Sequence, residues 1–203
     1  MTISIRPLRE DDLETADHIA RIAFGTFVGL PEPETFMGDA DYVRTRWRTD
    51  PSGAFAAEQS GELVGSNFAT RWGTVGFFGP LTIRPDLWDR GIGRLLMEPI
   101  VDCFDRWQTT HSGLFTFAQS QKHVGLYQRF GFWPRFLTAV ISKPVEPGSS
   151  APATTHFSEL TAVEQDSTLA ECRSLTDELF DGLDLTTEIR AVADQGLGET
   201  VLL

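Results

Sequence analysis

Apolar and polar positions alternate along residues 2–6, Thr-Ile-Ser-Ile-Arg, which predicts a short strand ended by Pro7. The period then changes to helical. Leu13, Ala16, Ala20 and Ala23 recur behind Asp11 and Asp12, either of which suits an N-cap. Residues 25–38 contain Pro31 and Pro33 and read as a loop carrying Phe27 and Phe36, and residues 39–50 read as a short helix with Tyr42, Val43 and Trp47. Residues 53–59 and 62–71 form a hairpin around Ser60-Gly61, and residues 74–83 a Phe-rich third strand interrupted by Gly79-Pro80. From Gly91 to Trp107 the apolar stripe is helical through Ile92, Leu96, Ile100, Cys103 and Phe104, and Pro99 is expected to kink it. A buried strand at 114–118, a helix from Ser120 to Phe130 ended by Gly131, and a strand at 137–142 follow. Farther on, residues 157–160 and 199–203 read as strands, and 162–179 and 186–194 as helices.

The order β-α-α-β-β-β-α-β-α-β over residues 1–143 predicts a mixed α/β (α+β) domain. It is not the regular β-α alternation of a dinucleotide-binding sheet. Residues 144–155 hold three Pro, one Gly, two Ser and two Thr and read as a linker. Residues 156–203 repeat the β-α-α-β order of residues 2–58, which predicts a partial second copy of the same half-fold or an appendage. An apolar Val201-Leu202-Leu203 edge would be left unpaired, which favours a truncated two-domain chain or a partner strand.

At 203 residues, 41% hydrophobic and 23% charged, the chain has the composition of an ordinary globular protein. No apolar run reaches the ~18–20 residues of a membrane span, and residues 1–9 lack the apolar core of a secretory signal. Cys103 and Cys172 are far apart and outside any C-x-x-C, so a reducing cytoplasm is the expected setting. Charge is uneven: residues 1–144 carry 17 acidic and 15 basic side chains, residues 145–203 carry 12 and 2. The near-neutral part has room for a local basic patch facing an anionic ligand. Neither part has the stripe of cations that a duplex-binding surface needs.

The stretch richest in chemistry is Pro80-Leu-Thr-Ile-Arg-Pro-Asp-Leu-Trp-Asp-Arg-Gly-Ile-Gly-Arg-Leu-Leu-Met97. A strand runs through a short loop into a helix opened by Arg90-Gly91-Ile92-Gly93-Arg94. Free N–H groups at such a helix start, with its dipole, attract an anion. Gly91 and Gly93 let a diphosphate approach the backbone, and Arg90 and Arg94 add charge. The bland alternative is two glycines that only shape a strand–helix turn. A Rossmann fingerprint is excluded, because the third glycine is replaced by Leu96 and the motif follows the fourth strand.

Trp88 to Gly93 resembles the acyl-CoA-binding motif Q/R-x-x-G-x-G/A of the GNAT superfamily of N-acyltransferases. About 30 residues later, Val124-Gly-Leu-Tyr-Gln-Arg-Phe-Gly-Phe132 resembles that superfamily's A-x-x-L-Y-x-x-x-G-F helix. Order and separation both agree, and the resemblance spans about residues 3–143. It implies a mixed, mostly antiparallel central sheet flanked by helices, with residues 156–203 as a β-α-α-β appendage. It further implies that the backbone of Asp89, Arg90, Gly91, Ile92, Gly93 and Arg94 holds the diphosphate of acetyl-CoA. The backbone of Leu81, Thr82 and Ile83 would pair with the pantetheine arm, one N–H polarising the thioester carbonyl, and Tyr127 would protonate the departing thiolate. Three departures stand out: Trp88 in place of Gln or Arg, Ser120 where Asn often precedes the Tyr helix, and His123 where Ala is usual.

The activity so implied is transfer of an acetyl or other acyl group from acetyl-CoA to a primary amine by direct attack in a ternary complex. A small-molecule or peptide amine is the expected acceptor, with no nucleic acid or membrane partner, and a homodimer stays open. The attacking amine must be unprotonated. The strand before the diphosphate loop, Phe77 to Thr82, carries no carboxylate where the family often has Glu. Glu32, Glu34, Asp39, Asp41 and His123 are the candidate bases, each with a plain surface or cap role as its alternative. Tyr127 also fits a plain core position beside Val124 and Phe130. The missing base keeps a second reading alive, a non-catalytic acyl-CoA-binding or sensor module. Four His and two Cys without ligand spacing argue against a metal site.

Overall fold

The computed structural model describes residues 2–144 and 154–202. Its first part runs β1 (Ile3–Pro7), α1 (Leu13–Val28), α2 (Tyr42–Thr49), β2 (Ala54–Gln59), β3 (Glu62–Trp72), β4 (Val75–Phe78), β5 (Thr82–Ile83), α3 (Ile92–Trp107), β6 (His111–Gly113) and α4 (Gln121–Gln128). The sheet order is β1-β2-β3-β4-β6, and β5 also pairs with β3, beyond the end of β4. Every pairing is antiparallel except β4 with β6. This is the mixed, mostly antiparallel sheet expected from the sequence.

β3 is the spine of the sheet and is buried from Leu63 through Thr70. Its side chains divide between two cores, with the alternation shifted by an irregularity opposite Ala57 and Glu58. Leu63 and Phe68 pack with Leu13, Ala16, Ile19, Ala20 and Val43 from α1 and α2. Ala69 joins Phe78, Met97, Ile100, Cys103 and Phe104 on the α3 face, and Val64 joins Ile92 and Leu96 there. The buried Asn67 Nδ2 donates to Leu96 O at 3.3 Å, so a polar group in the core ties β3 to α3. α3 runs from Ile92 to Trp107 through Pro99.

Two expected strands are absent. Pairing of β6 with β4 stops at Gly113, opposite Phe77, and residues 114–117 leave the sheet with Phe115 three-quarters exposed. The reason lies in β4, whose chain swings away at Gly79 (φ 126) and leaves nothing for 114–118 to pair with. Residues 137–142 keep an apolar pattern in sequence but form no strand, and Leu137, Val140 and Ile141 are exposed. Among the described residues no free strand lies beside them to supply a ladder.

The second part comprises β7 (Thr155–His156), α5 (Ala162–Asp177), α6 (Thr186–Asp194) and β8 (Val201–Leu202). β7 and β8 pair antiparallel in a two-stranded sheet of their own. Residues 157–159, expected as strand, form a 3-10 turn instead, and most of the proposed linker lies outside the described residues. This unit grips the turn between β3 and β4. Thr74 N–H donates to Gly182 O at 3.0 Å, and Glu188 Oε1 accepts from Arg46 Nη1 at 2.6 Å and from the Trp72 indole at 2.8 Å. No helix among the described residues is long and apolar enough to cross a membrane.

Candidate functional site

Beyond Phe78 the sheet splits. Gly79 N–H donates to Phe68 O, Thr82 pairs with Ser66, and Arg84 N–H donates to Val64 O, so this strand stays on β3. In an antiparallel ladder the intervening amides point the other way. Ile83, between Thr82 and Arg84, therefore turns its N–H away from β3, and Leu81 reaches the gap left by residues 114–117. Ile83 O, on the same edge, accepts the Trp88 indole N–H at 2.8 Å.

A cavity of about 80 Å³ fills this gap, lined by Phe24, Phe78, Gly79, Pro80, Leu81, Leu114, Phe115, Thr116, Phe117, His123 and Tyr127. A larger hollow of about 440 Å³ between Phe55 and the outer face of α3 is an open surface groove with no convergent chemistry. In the smaller cavity α4 delivers both titratable groups. Ser120 Oγ caps this helix through His123 N–H at 3.5 Å, and its inward face carries His123 and, one turn later, Tyr127. Tyr127 is buried against Phe78, and burial pushes its hydroxyl up to about 12, opposed by a hydrogen bond with Thr116. The phenol therefore keeps its proton at neutral pH. His123 is half-buried against Phe27, ring centroids 4.8 Å apart, and burial, helped by Lys122, lowers its pKa.

The other end of the β5 strand leads to the start of α3. Gly91 is its N-cap, in the left-handed conformation (φ 79) with nothing within 4 Å of where a Cβ would stand. Asp89 also sits at positive φ (65), unusual for a residue with a side chain. Among the described residues the N–H groups of 89–93 donate to no recorded partner; the first helical bond there is Arg94 N–H to Gly91 O. Gly93 is buried, and a Cβ on it would meet Ile83 and Leu126 at 3.4 Å, an ordinary packing contact. Arg90 and Arg94 are exposed beside the helix start. Lys122 adds a third cation, paired with Asp89 at 2.5 Å and lying 5.6 Å above the Trp88 ring.

The structure thus brings two groups of sequence-predicted residues to one strand. Leu81 and Tyr127 meet in the cavity, while Asp89 to Arg94 form the turn beyond Ile83. The candidate acids Glu32, Glu34 and Asp39 are exposed and do not line the cavity, and Asp41 caps α2 through Arg44 N–H at 3.1 Å. Phe24 and Phe117 are among the aromatics whose sequence positions suggest a partly apolar acceptor, whereas Thr116 and Lys122 were not legible as site residues. Their placement depends on how α1 and α4 approach the split sheet, which no local spacing encodes. Among the described residues no cluster of three or more His, Cys, Asp or Glu could hold a metal.

A family model described as acetyltransferase (GNAT) family matches residues 17–132. A search of curated proteins finds no match. Among solved structures, the chain is similar to the PaiA N-acetyltransferase of Thermoplasma acidophilum in complex with coenzyme A, at 18% identity and a TM-score of 0.55, covering 64% of this chain and 89% of that one. It is also similar to a Pyrococcus horikoshii protein provisionally named an acetyltransferase, at 17% identity and a TM-score of 0.68. That likeness covers 98% of this chain, which spans 64% of the other. A third likeness is to AAC(6')-Iy bound to the bisubstrate analogue CoA-S-monomethyl-acetylneamine, at 15% identity and a TM-score of 0.55, over 71% of this chain and 100% of that one.

Proposed function

The chain belongs to the GNAT acetyltransferase family, and from that premise we propose that it transfers an acetyl group from acetyl-CoA to a primary amine by direct attack in a ternary complex. The observation that carries this reading is the continuous strand edge from Leu81 to Ile83, with a titratable cavity at one end and an unpartnered helix start at the other. Donors at 89–93 suit a diphosphate, since none has a recorded partner among the described residues and the α3 dipole adds partial positive charge. Arg90, Arg94 and Lys122 surround that turn with cations. The outward amide of Ile83 suits an amide group of a pantetheine arm laid beside the strand, and Leu81, which lines the cavity, would offer its N–H to polarise the thioester carbonyl. Tyr127, protonated and facing the same cavity, would hand its proton to the departing thiolate.

Residues 156–203 are proposed as a partial second unit of the same kind or an appendage, joined by the stretch at 144–155. Isothermal titration with acetyl-CoA, followed by a thiol-release assay against an amine panel, tests the activity. Binding with amine-dependent thiol release supports the transferase. Binding without release favours a sensor module, and absence of binding removes both readings.

A further inference from the structure

Resting on the acetyl-transfer reading, we infer that His123 takes the proton from the acceptor amine, and that this acceptor is an arylalkyl amine whose ring lies against Phe24, Phe115 and Phe117. Of the eleven side chains and backbone positions lining the cavity, two titrate, His123 and Tyr127, and none is a carboxylate. Tyr127 is committed to holding a proton. The imidazole is left as the one group there able to accept one. No hydrogen bond to its ring is recorded among the described residues, so a nitrogen is available. Burial keeps the ring neutral at pH 7, the form a proton acceptor must have. The charged neighbour is Lys122 on its own helix. From α1 the ring is met by Phe27, which carries no charge.

The same lining defines the acceptor. Phe24, Phe115 and Phe117 form the cavity wall, backed by a second layer: Phe36 stacks on Phe24 at 5.3 Å and Phe27 meets Phe117 at 4.7 Å. Phe115, three-quarters exposed, continues outward through Phe77 to Trp72 with centroids 5.5 and 5.2 Å apart. An aromatic ring fits such a surface. A polycation does not, for no carboxylate lines the cavity to receive its further charges.

The protons balance. His123 removes one from the ammonium and releases it to solvent. The neutral nitrogen attacks the carbonyl carbon, the C–N bond forms and the C–S bond breaks. Sulfur takes the Tyr127 proton, and the second proton lost by nitrogen restores the phenol. The products are the amide, free thiol and one proton.

The test uses the full chain with acetyl-CoA and phenethylamine, spermidine or kanamycin A, following thiol release from pH 5.5 to 9 and coenzyme binding by calorimetry. Wild type should favour phenethylamine, with kcat/KM level above an acid limb that lies below the ordinary imidazole range. His123→Gln should bind acetyl-CoA normally, lose ~100-fold in phenethylamine turnover at pH 7, and regain about tenfold per pH unit as the amine sheds its own proton. A variant with the wild-type rate and profile overturns the base. Preference for spermidine or kanamycin A overturns the acceptor class. Coenzyme binding with no turnover of any of the three overturns this inference and leaves the coenzyme site standing, whereas failure to bind acetyl-CoA removes the reading beneath it.

Discussion

Tyr127 stands edge-on to Phe78, the last residue of β4, with ring centroids 5.5 Å apart and planes at 67°. The contact fixes the phenol at the point where the sheet divides. It also makes Tyr127 part of the core that includes Met97, Ile100 and Phe104. Packing and chemistry are therefore separable by substitution. Tyr127→Phe keeps the ring and removes the hydroxyl together with its bond to Thr116, at a stability cost of about 1 kcal/mol. Turnover should fall ~100-fold or more, because general acid assistance is worth roughly 10²–10⁴. Acetyl-CoA affinity, measured by calorimetry, should stay within about twofold of wild type by the same division of roles.

Gly91 and Gly93 should respond differently, although they look alike in the sequence. Gly91 has open space around it but a left-handed backbone, so Gly91→Val strains the turn and shifts the amides that would hold the diphosphate. Gly93 is buried with ordinary contact distance to spare, so Gly93→Ala should fold, and the helix start should keep its place. We expect Gly91→Val to weaken acetyl-CoA binding by about tenfold or more, and Gly93→Ala to do so less. Parallel titrations of both variants, with circular dichroism to verify folding, check the ranking.

The strand and helix order of residues 1–107, and the two motifs, were legible because each depends on local pattern, whereas β6 at His111–Gly113 was not read. Alternation in Ile3–Arg6, helical spacing from Ile92 to Trp107 and the glycines after Arg90 are read without knowing the fold. What was not legible depends on neighbours. Leu114 to Phe117 has the residues of a buried strand, yet its pairing partner turns away at Gly79. Val140 and Ile141 have the pattern of one without a recorded ladder. The cavity's Phe24 and His123 come together only because α1 and α4 flank the same opening, and the Asp89–Lys122 pair joins the loop before α3 to the first turn of α4 by tertiary approach.

Arg21 holds the acceptor side of the cavity in place. Its guanidinium donates to Phe36 O at 2.9 Å, Gly38 O at 2.7 Å and Ala40 O at 2.7 Å, while Nε pairs with Asp17 at 2.6 Å. Those bonds fix the loop whose Phe36 stacks on Phe24. Lysine supplies one charge but not the planar fork that reaches three carbonyls. Arg21→Lys should therefore raise KM for the amine several-fold, leave acetyl-CoA affinity unchanged, and speed proteolytic cleavage within residues 36–40. An unchanged KM with unchanged protease resistance would show that the loop is held by its own packing.

Glu188 is the hinge pin between the two parts of the chain, accepting from both Arg46 and Trp72. Arg46 is largely withdrawn from solvent and its guanidinium pairs with this carboxylate at 2.6 Å. Glu188→Ala leaves that cation and the indole N–H unpaired, which costs more than an exposed ion pair, about 2–4 kcal/mol. Denaturant unfolding followed by Trp fluorescence should show a lower midpoint. Hydrogen exchange should show residues 182–195 opening first.

Acid should loosen the base of α1 before it disturbs the cavity. The Asp12 carboxylate accepts from Arg6 at 2.6 and 2.9 Å and from Arg9 N–H at 2.8 Å, and the bonds to Arg6 above all hold its pKa below the usual carboxylate range. Arg6 also binds Glu58 on β2 at 2.7 Å, so the group ties β1, β2 and the approach to α1 together. A carboxylate whose pKa is lowered by folding contributes stability that is complete above its unfolded value. That contribution fades as pH falls through the folded value. Asp12→Asn should therefore cost about 1–3 kcal/mol at pH 7 and pH 5. Below about pH 4 the gap to wild type should close, because protonation does to wild type what the substitution has already done. Urea titrations of both proteins at pH 7, 5 and 3 give the three differences. A gap that stays constant down to pH 3 would mean that the loss comes from the introduced amide itself and not from the charge it replaces.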